Sequence, residues 1–377
     1  MKARCVMLHK VIIAGGGTGG HIFPAIAIAK ALKQLNPELE LLFIGAEGRM
    51  EMEKVPAAGF KILGLPILGV PRKKTPWAML RFLLHWYRSN RRAQKIVHAF
   101  APDVVVGVGG YASVPAMQAA QKYRIPTFIQ EQNSYAGKAN RMLARKVQRI
   151  AVAYPSMERY FPAEKIVFTG NPVREELLRE LPVREEACTA LGLPTTTKNI
   201  LVIGGSLGAR KLTEAILEHA QQIGQHTELT FLLQTGTSDF ETMRARVIAS
   251  GVKNIVPTAF IARMDYAYAA ADLIVSRAGA IAISELCIVA KPLILVPSPY
   301  VAEDHQTKNA RVLKEHNAAL LVSESVAAER LWSEIEQLLA DDKRKAIMHD
   351  ALLTLARPKA STEIATQITT LCHKVHN

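Results

Sequence analysis

The chain has 377 residues and a formal net charge of +14, with 47 Lys or Arg against 33 Asp or Glu. Hydrophobic residues make up 49% and charged ones 21%, which excludes a disordered chain, a collagen-like repeat and a small disulfide scaffold, and the length suggests two domains. The longest apolar runs, such as 104–108 and 293–296, fall far short of the roughly 20 residues that span a bilayer, so no transmembrane helix is expected. Basic residues near the N-terminus give way to glycines before a secretory apolar stretch develops, and a cytoplasmic chain is expected.

Short β-branched apolar runs alternate with segments of helical period from end to end. Strands are predicted at 10–14, 39–44, 104–108, 127–130, 149–153 and 165–168, then at 199–203, 230–234, 254–257, 273–276, 292–296 and 319–322. Helices are predicted between them, at 23–34, 50–58, 77–98, 114–122, 138–144, 211–224, 239–250, 264–270, 282–289, 305–316, 325–339 and 361–376. Continuous apolarity marks parallel strands covered on both faces, and repeated β-α-β units mark doubly wound α/β domains. A weak internal repeat supports two of them. The first strand runs into Gly15-Gly16-Gly17-Thr18-Gly19-Gly20 and a helix, and the strand at 199–203 runs into Gly204-Gly205-Ser206-Leu207-Gly208 and another helix. Turn-forming Thr169-Gly170-Asn171-Pro172 is the expected junction, giving domains 1–168 and 169–358, with a last helix in 359–377 packing back toward the first domain. Two such domains facing a cleft would place both glycine loops at the carboxyl ends of their strands, where ligands bind.

The basic surplus is uneven. Residues 1–165 hold 25 Lys or Arg against 9 Asp or Glu, residues 166–377 hold 22 against 24, and between Glu53 and Asp103 ten basic residues occur with no acidic one. Nucleic acid, an anionic membrane surface or an acidic substrate would each explain a basic first half. Cys5, Cys188, Cys287 and Cys372 form no C-x-x-C pair and adjoin no His cluster, so buried free thiols are expected rather than a metal or redox site.

Segment 15–20 fits G-x-G-x-x-G between a strand and a helix. A dinucleotide site would need an acidic residue after the second strand, for which Glu47 is the candidate. Against it, His21 follows the loop at once, and two more glycine loops, 204–208 and Gly107-Val108-Gly109-Gly110, follow other strands. Glycines let a backbone approach phosphate or sugar, and the positive end of the following helix stabilises negative charge. Ser206 suits this best: it can cap a helix beginning near Ala209 and offer a hydroxyl and N–H groups to a diphosphate. The alternative is a tight turn with no ligand. With no Asp-x-Asp and no metal-ligand cluster, helix dipoles and arginines would have to neutralise a diphosphate.

Seven motifs occur in order across residues 10–310: Gly16-Gly17-Thr18-Gly19-Gly20-His21, Gly107-Val108-Gly109-Gly110-Tyr111, Glu131-Gln132-Asn133, Gly170-Asn171-Pro172-Val173-Arg174, Gly204-Gly205-Ser206-Leu207-Gly208-Ala209-Arg210, Arg277-Ala278-Gly279-Ala280, and His305-Gln306 with Asn309-Ala310. Together they resemble the MurG family, bacterial UDP-N-acetylglucosamine:lipid I N-acetylglucosaminyltransferases of GT-B architecture. That architecture is α/β, two Rossmann-like doubly wound parallel-sheet domains facing a cleft. The family usually carries His before Glu-Gln-Asn, where this chain has Gln130. The resemblance implies inverting transfer of N-acetylglucosamine from UDP-GlcNAc to the C4 hydroxyl of MurNAc in lipid I, giving lipid II and UDP in peptidoglycan synthesis. It implies an acceptor- and membrane-binding first domain, a UDP-GlcNAc-binding second domain, and a peripheral place on the cytoplasmic face of the inner membrane. UDP-GlcNAc and lipid I are the implied substrates and cell-wall synthesis proteins the candidate partners, with no cofactor, metal or nucleic acid. A UDP-GlcNAc 2-epimerase or a glycolipid synthase would share the nucleotide-binding half; an NAD-dependent oxidoreductase and a nucleic-acid binder are more remote.

On the donor side the resemblance implies Ser206 and Arg174 at the diphosphate, Glu285 at the ribose hydroxyls and Ile261 at uracil through its main chain. Ala280, Ile281, Ala282, Ile283 and Ser284 would line the donor through backbone groups, and Gln306 would bond sugar hydroxyls. Glu285, placed at the start of a helix, also reads as an ordinary first-turn acid favoured by the dipole. Thr18, Gly19, Gly20 and Asn133, on the acceptor side, would approach the sugars across the cleft and are implied to bind UDP-GlcNAc as well, with Gly109, Gly110 and Tyr111 as the acceptor-side loop. An inverting displacement needs a base near the acceptor hydroxyl and charge stabilisation at the departing UDP. His21 is the first choice for that base, because imidazole titrates near neutrality and a helix N-terminus disfavours its charged form. Glu131 is the rival, and a His21 that only caps the loop stays open.

Pro76 opens a helix whose Trp77, Leu80, Leu84 and Tyr87 share one stripe, the face that packing on a sheet requires. Phe82, Leu83 and Trp86 widen the apolar surface, Arg72, Lys73 and Lys74 precede it, and Arg88, Arg91, Arg92 and Lys95 follow. This mixture suits the headgroup boundary of an anionic membrane, so Arg72, Lys73, Lys74, Trp77, Phe82, Leu83 and Trp86 are expected to make membrane contact.

Overall fold

The computed structural model describes residues 8–69, 71, 75–205 and 208–371. They form two compact units, one ending at Val173 and taking in the chain again from Pro358, the other spanning Arg174–Arg357. The first unit holds seven strands: β1 (Lys10–Ala14), β2 (Glu40–Ala46), β3 (Lys61–Leu65), β4 (Val104–Gly107), β5 (Thr127–Glu131), β6 (Arg149–Val152) and β7 (Ile166–Phe168). All pairings are parallel, in the order β3-β2-β1-β4-β5-β6-β7. The second unit holds six: β8 (Lys198–Ile203), β9 (Leu229–Gln234), β10 (Ile255–Thr258), β11 (Leu273–Ser276), β12 (Leu293–Leu295) and β13 (Leu320–Leu321). They too are parallel, in the order β10-β9-β8-β11-β12-β13. In each sheet the strand order reverses beside the unit's first strand, between β1 and β4 and between β8 and β11.

β1 shows how the apolar runs become strands. Val11 and Ile13 pack with Val104, Val106 and the helix Gly19–Leu35 on one face. Ile12 and Ala14 pack with Val105, Ile129 and the helix Pro76–Phe100, through its Ala93 and Val97, on the other. Two covered faces leave no place for a polar residue, and each such Val or Ile contributes about 1.5–3 kcal/mol by burial. The helix Ala360–Thr369 lies on Gly19–Leu35 through Ile364, Ala365 and Ile368, and its Gln367 accepts from Arg149 Nη1 at 2.5 Å.

Several expectations shift. Residues 169–173 stay with the first unit, because Thr169 and Gly170 N–H donate to Val152 O at 3.1 and 3.2 Å and Asn171 is bonded beneath β5. β3 was not foreseen: its apolar residues are broken by Gly64 and followed by Pro66, and at the edge of the sheet only Gly64 and Leu65 are buried. The helices Arg184–Leu191 and Asp342–Leu355 were also unforeseen, since each buries only two side chains and so carries little of the apolar period that marks a packed helix. The helix expected at 211–224 is two, Arg210–Leu217 and Ala220–Gln225. Cys188 and Cys287 are buried, and burial pushes the Cys287 thiol up to about 12; Cys5 and Cys372 lie outside the described residues. Among the described residues no helix is long and apolar enough to cross a membrane.

The largest shift concerns the helix Pro76–Phe100. Thr75 caps it, accepting from Ala78 N–H at 3.3 Å. Its buried stripe is Ser89, Ala93 and Val97, continued by half-buried Trp86, which packs on the core, and Phe82, which stacks on Trp86 with centroids 6.3 Å apart. Trp77, Leu80, Leu84 and Tyr87, the stripe expected to face the sheet, point the opposite way and are 76%, 48%, 50% and 60% exposed, with Leu83 beside them at 53%. Phe82 and Trp86, expected at the membrane, therefore face the protein. Arg72, Lys73 and Lys74 lie outside the described residues.

Candidate active site

The points where the strand order reverses are where a doubly wound sheet opens a crevice at its carboxyl edge. In the first unit the 15–20 loop follows β1, the 107–110 loop follows β4, and Glu131 ends β5. The two loops touch backbone to backbone: a Cβ at Gly15 would lie 3.0 Å from Gly109 O, and one at Gly110 would lie 2.4 Å from Gly16 O. Only glycine permits that approach, and Gly109 and Gly110 also have φ of +95° and +77°.

His21 is half-buried and lies in the first turn of Gly19–Leu35, which begins four residues earlier than expected. Its Nδ1 is 3.1 Å from Thr18 Oγ1, and its ring lies over the second loop, since a Cβ at Gly109 would be 2.9 Å from His21 Cδ2. That same carbon would be 3.7 Å from Asn140 Nδ2, so His21 and Asn140 flank one glycine. Thr18 and Gly20 are exposed beside it, as is Tyr111 at 45%.

Glu131 is in a different state. Its Oε1 accepts from Asn133 N–H at 3.1 Å and Asn133 Nδ2 at 3.4 Å, and its Oε2 from Gly137 N–H at 3.0 Å and Asn140 Nδ2 at 2.9 Å. Burial pushes its carboxyl up, and these four donors pull it partly back. The carboxylate is thus fully coordinated and 1% exposed, holding the 131–137 turn. Gln130, where the family resemblance leads one to expect His, is wholly buried: its Nε2 donates to Asn171 Oδ1 at 2.9 Å, and its Oε1 accepts from Gln132. Asn171 Nδ2 in turn donates to Gln132 O at 3.0 Å, so Gln130 pins β5 to the segment that leaves the unit. Glu47 pairs with Arg92 at 2.6 Å, which commits the acid that a dinucleotide site would have used.

In the second unit Gly204 and Gly205 follow β8, and residues 277–279 follow β11. Gly208 packs on the end of β9, where a Cβ would come within 2.1 Å of Thr235 O. Ser206 lies outside the described residues, and the following helix starts at Arg210. The helix after β11 is Ala280–Val289, so Glu285 stands on its second turn and not at its start, which removes the first-turn reading. Its Oε1 accepts from Arg174 Nε at 2.7 Å and its Oε2 from Tyr268 OH at 3.1 Å. Burial pushes the Glu285 carboxyl up, and Arg174 and the tyrosine hydroxyl partly offset it; burial and then the Glu285 charge hold the Tyr268 phenol well above its usual value. Ile261, Ala280 and Ile283 turn their side chains into the core, Ile281, Ala282 and Ser284 are half-buried, and Gln306 Oε1 accepts from Ser298 N–H at 2.9 Å. Just before Gln306, Glu303 and Asp304 both take left-handed φ, +57° and +50°, a strained turn of the kind that gathers at functional sites.

Asn140 and Tyr268 were missed by sequence reasoning. Each reads as an ordinary helix residue, and only its partner carboxylate, 9 and 17 positions away, reveals it.

Residues 11–152 match the glycosyltransferase family 28 N-terminal domain, and residues 199–364 the family 28 C-terminal domain. A Bacteroides fragilis protein named UDP-N-acetylglucosamine--N-acetylmuramyl-(pentapeptide) pyrophosphoryl-undecaprenol N-acetylglucosamine transferase is 48% identical over 97% of this chain and 96% of its own. A Porphyromonas gingivalis protein of the same name is 48% identical over 95% and 94%. The crystal structure of Acinetobacter baumannii MurG superimposes with a TM-score of 0.74 at 28% identity, covering 96% of this chain and 99% of that one. A UDP-GlcNAc 2-epimerase from Neisseria meningitidis, bound to UDP-GlcNAc, has a TM-score of 0.68 at 17% identity over 96% and 99%, a likeness of fold.

Proposed function

We infer the reaction of this chain from its family, for it belongs to glycosyltransferase family 28: it transfers N-acetylglucosamine from UDP-GlcNAc to the MurNAc of lipid I, giving lipid II and UDP. The observation that carries this reading is likeness along nearly the whole chain, at 48% identity, to transferases of that one name. The test is UDP release from UDP-GlcNAc with and without a short-chain lipid I analogue. Release that requires the acceptor is expected. Release without it, or epimerised sugar, would overturn the reading in favour of an epimerase.

In the proposed mechanism the MurNAc C4 oxygen attacks the anomeric carbon as the bond to UDP breaks, inverting that carbon. The C4 hydroxyl proton passes to His21. Thr18 Oγ1, 3.1 Å from His21 Nδ1, orients the ring. Thr18, Gly19, Gly20 and Asn133 approach sugar, with the 109–111 loop on the acceptor side, and Glu131 supports them by holding the turn rather than by taking a proton. Ser206, its loop and Arg174 answer the charge that develops on the departing diphosphate. Glu285 serves the ribose hydroxyls and, through Arg174 Nε, orients that guanidinium. The main chains of Ile261 and 280–284 and the Gln306 amide complete the donor site.

We also propose peripheral binding to the cytoplasmic face of an anionic membrane, through Trp77, Leu80, Leu83, Leu84 and Tyr87. These exposed side chains lie on a helix that also exposes Arg81, Arg88, Arg91 and Lys95. Trp77→Glu with Leu83→Glu is expected to weaken binding to phosphatidylglycerol-containing vesicles by at least about tenfold, the loss of two buried apolar contacts. Ile248→Glu, at another exposed apolar position, is expected to leave it unchanged. Vesicle co-sedimentation reads both.

A further inference from the structure

We propose that Glu51 is the internal anion of the first glycine loop, a positioning residue whose carboxylate holds Gly16 and Gly17 and, through them, Thr18 and His21. The proposal rests on the acceptor-side reading of that loop given above.

Glycine loops between a strand and a helix commonly turn backbone N–H groups toward a bound anion. Here a side chain of the protein already stands there. Gly17 N–H lies 3.1 Å from both carboxylate oxygens of Glu51, and Ala46 N–H donates to Oε1 at 2.9 Å. Glu51 is 1% exposed, and these donors are all backbone groups. Steric fit agrees with the hydrogen bonds. A Cβ at Gly16 would meet Glu51 Oε1 at 2.1 Å, and one at Gly45 would meet its Cγ at 2.6 Å. Gly45 lies in β2, outside the left-handed region, so the room taken by Glu51 is what requires glycine there.

The consequence reaches the reacting end of the loop. Gly17 leads into Thr18, whose carbonyl accepts from His21 N–H at 3.1 Å and Ile22 N–H at 3.2 Å. Gly16 O packs against Gly110. One carboxylate therefore sets the height of both loops and of the imidazole between them. Gly17 N–H, which a bound anion would otherwise take, is already answered from within the protein.

The test uses the full chain with Glu51→Gln and Glu51→Ala. Glutamine keeps the volume but turns an amide N–H₂ toward Gly17 or Ala46 N–H, and alanine leaves the N–H groups unanswered. With a short-chain lipid I analogue saturating and UDP-GlcNAc varied, Glu51→Gln is expected to lower kcat by about tenfold or more, with the KM for UDP-GlcNAc within about twofold. Glu51→Ala is expected to lose more and to recover part of its turnover on adding formate, which gives nothing to the wild type or to Glu51→Gln. Formate is also expected to raise the thermal midpoint of Glu51→Ala alone. Wild-type turnover in both variants would overturn the proposal, as would losses that formate leaves unmoved in both turnover and melting. The melting readout needs no transfer activity, so a wild-type chain that fails to transfer N-acetylglucosamine would sink the functional reading and leave this one to the formate shift.

Discussion

Replacing His21 with Ala is expected to lower kcat by about 10²- to 10⁴-fold, the usual contribution of a general base. The KM for UDP-GlcNAc should stay within about twofold, because the proposed role of the imidazole is to take a proton from the acceptor and not to hold the donor. The thermal midpoint should move little. His21 is half-buried on a helix held by Ile22, Ala25, Ile28 and Leu32, and a half-buried side chain outside the core contributes within about 0.5 kcal/mol. Glu131→Gln should behave in the opposite order. Its carboxylate accepts four hydrogen bonds, and an amide must turn a donor toward at least one of them, so stability and the 131–137 turn suffer before chemistry does. Steady-state kinetics with saturating acceptor, read beside melting curves, separates the two. Near-normal turnover in His21→Ala with loss in Glu131→Gln would reverse the roles.

Arg277→Ala is expected to destabilise the chain by about 3–5 kcal/mol, the cost of stranding one member of a buried ion pair. Arg277 and Glu324 side chains are each 9% exposed and paired through Nη2, while Nη1 donates to Val296 O at 3.0 Å. The guanidinium thus ties the end of β11 to the end of β12 and to the turn after β13. Removing it leaves a buried carboxylate and a buried carbonyl unanswered. Glu324→Ala should cost a similar amount, and the double substitution much less than the sum, since the second removal relieves the charge left by the first. Urea midpoints of the three variants form the cycle that tests this. Additive losses would show that the pair is not the unit that matters.

Arg277 also shows how motif and function part company. It opens Arg277-Ala278-Gly279-Ala280, one of the seven motifs that carry the family resemblance, yet its side chain is an internal tie. Gln130 is similar: it stands where the family usually carries His, and its burial against Asn171 makes it a fastener. The α/β class, the two glycine-loop units and most strands were legible, because a strand covered on both faces must be apolar throughout. β3 was not, because Gly64 and Pro66 interrupt its short apolar run and read as turn residues.

By itself the sequence determined the order of most elements, the glycine loops that follow the first strand of each unit, and the family, since these rest on local patterns and short motifs. Tertiary structure alone decided which face of the helix Pro76–Phe100 is bare, that Glu131 is consumed by its own turn, that Arg174 meets Glu285 across 111 positions, and that Glu51 fills the first loop from 34 positions away. The reason is physical. Helical period says that a stripe exists but not which stripe finds the sheet, and a carboxylate's role depends on which donors reach it, which are contacts between residues far apart in the chain.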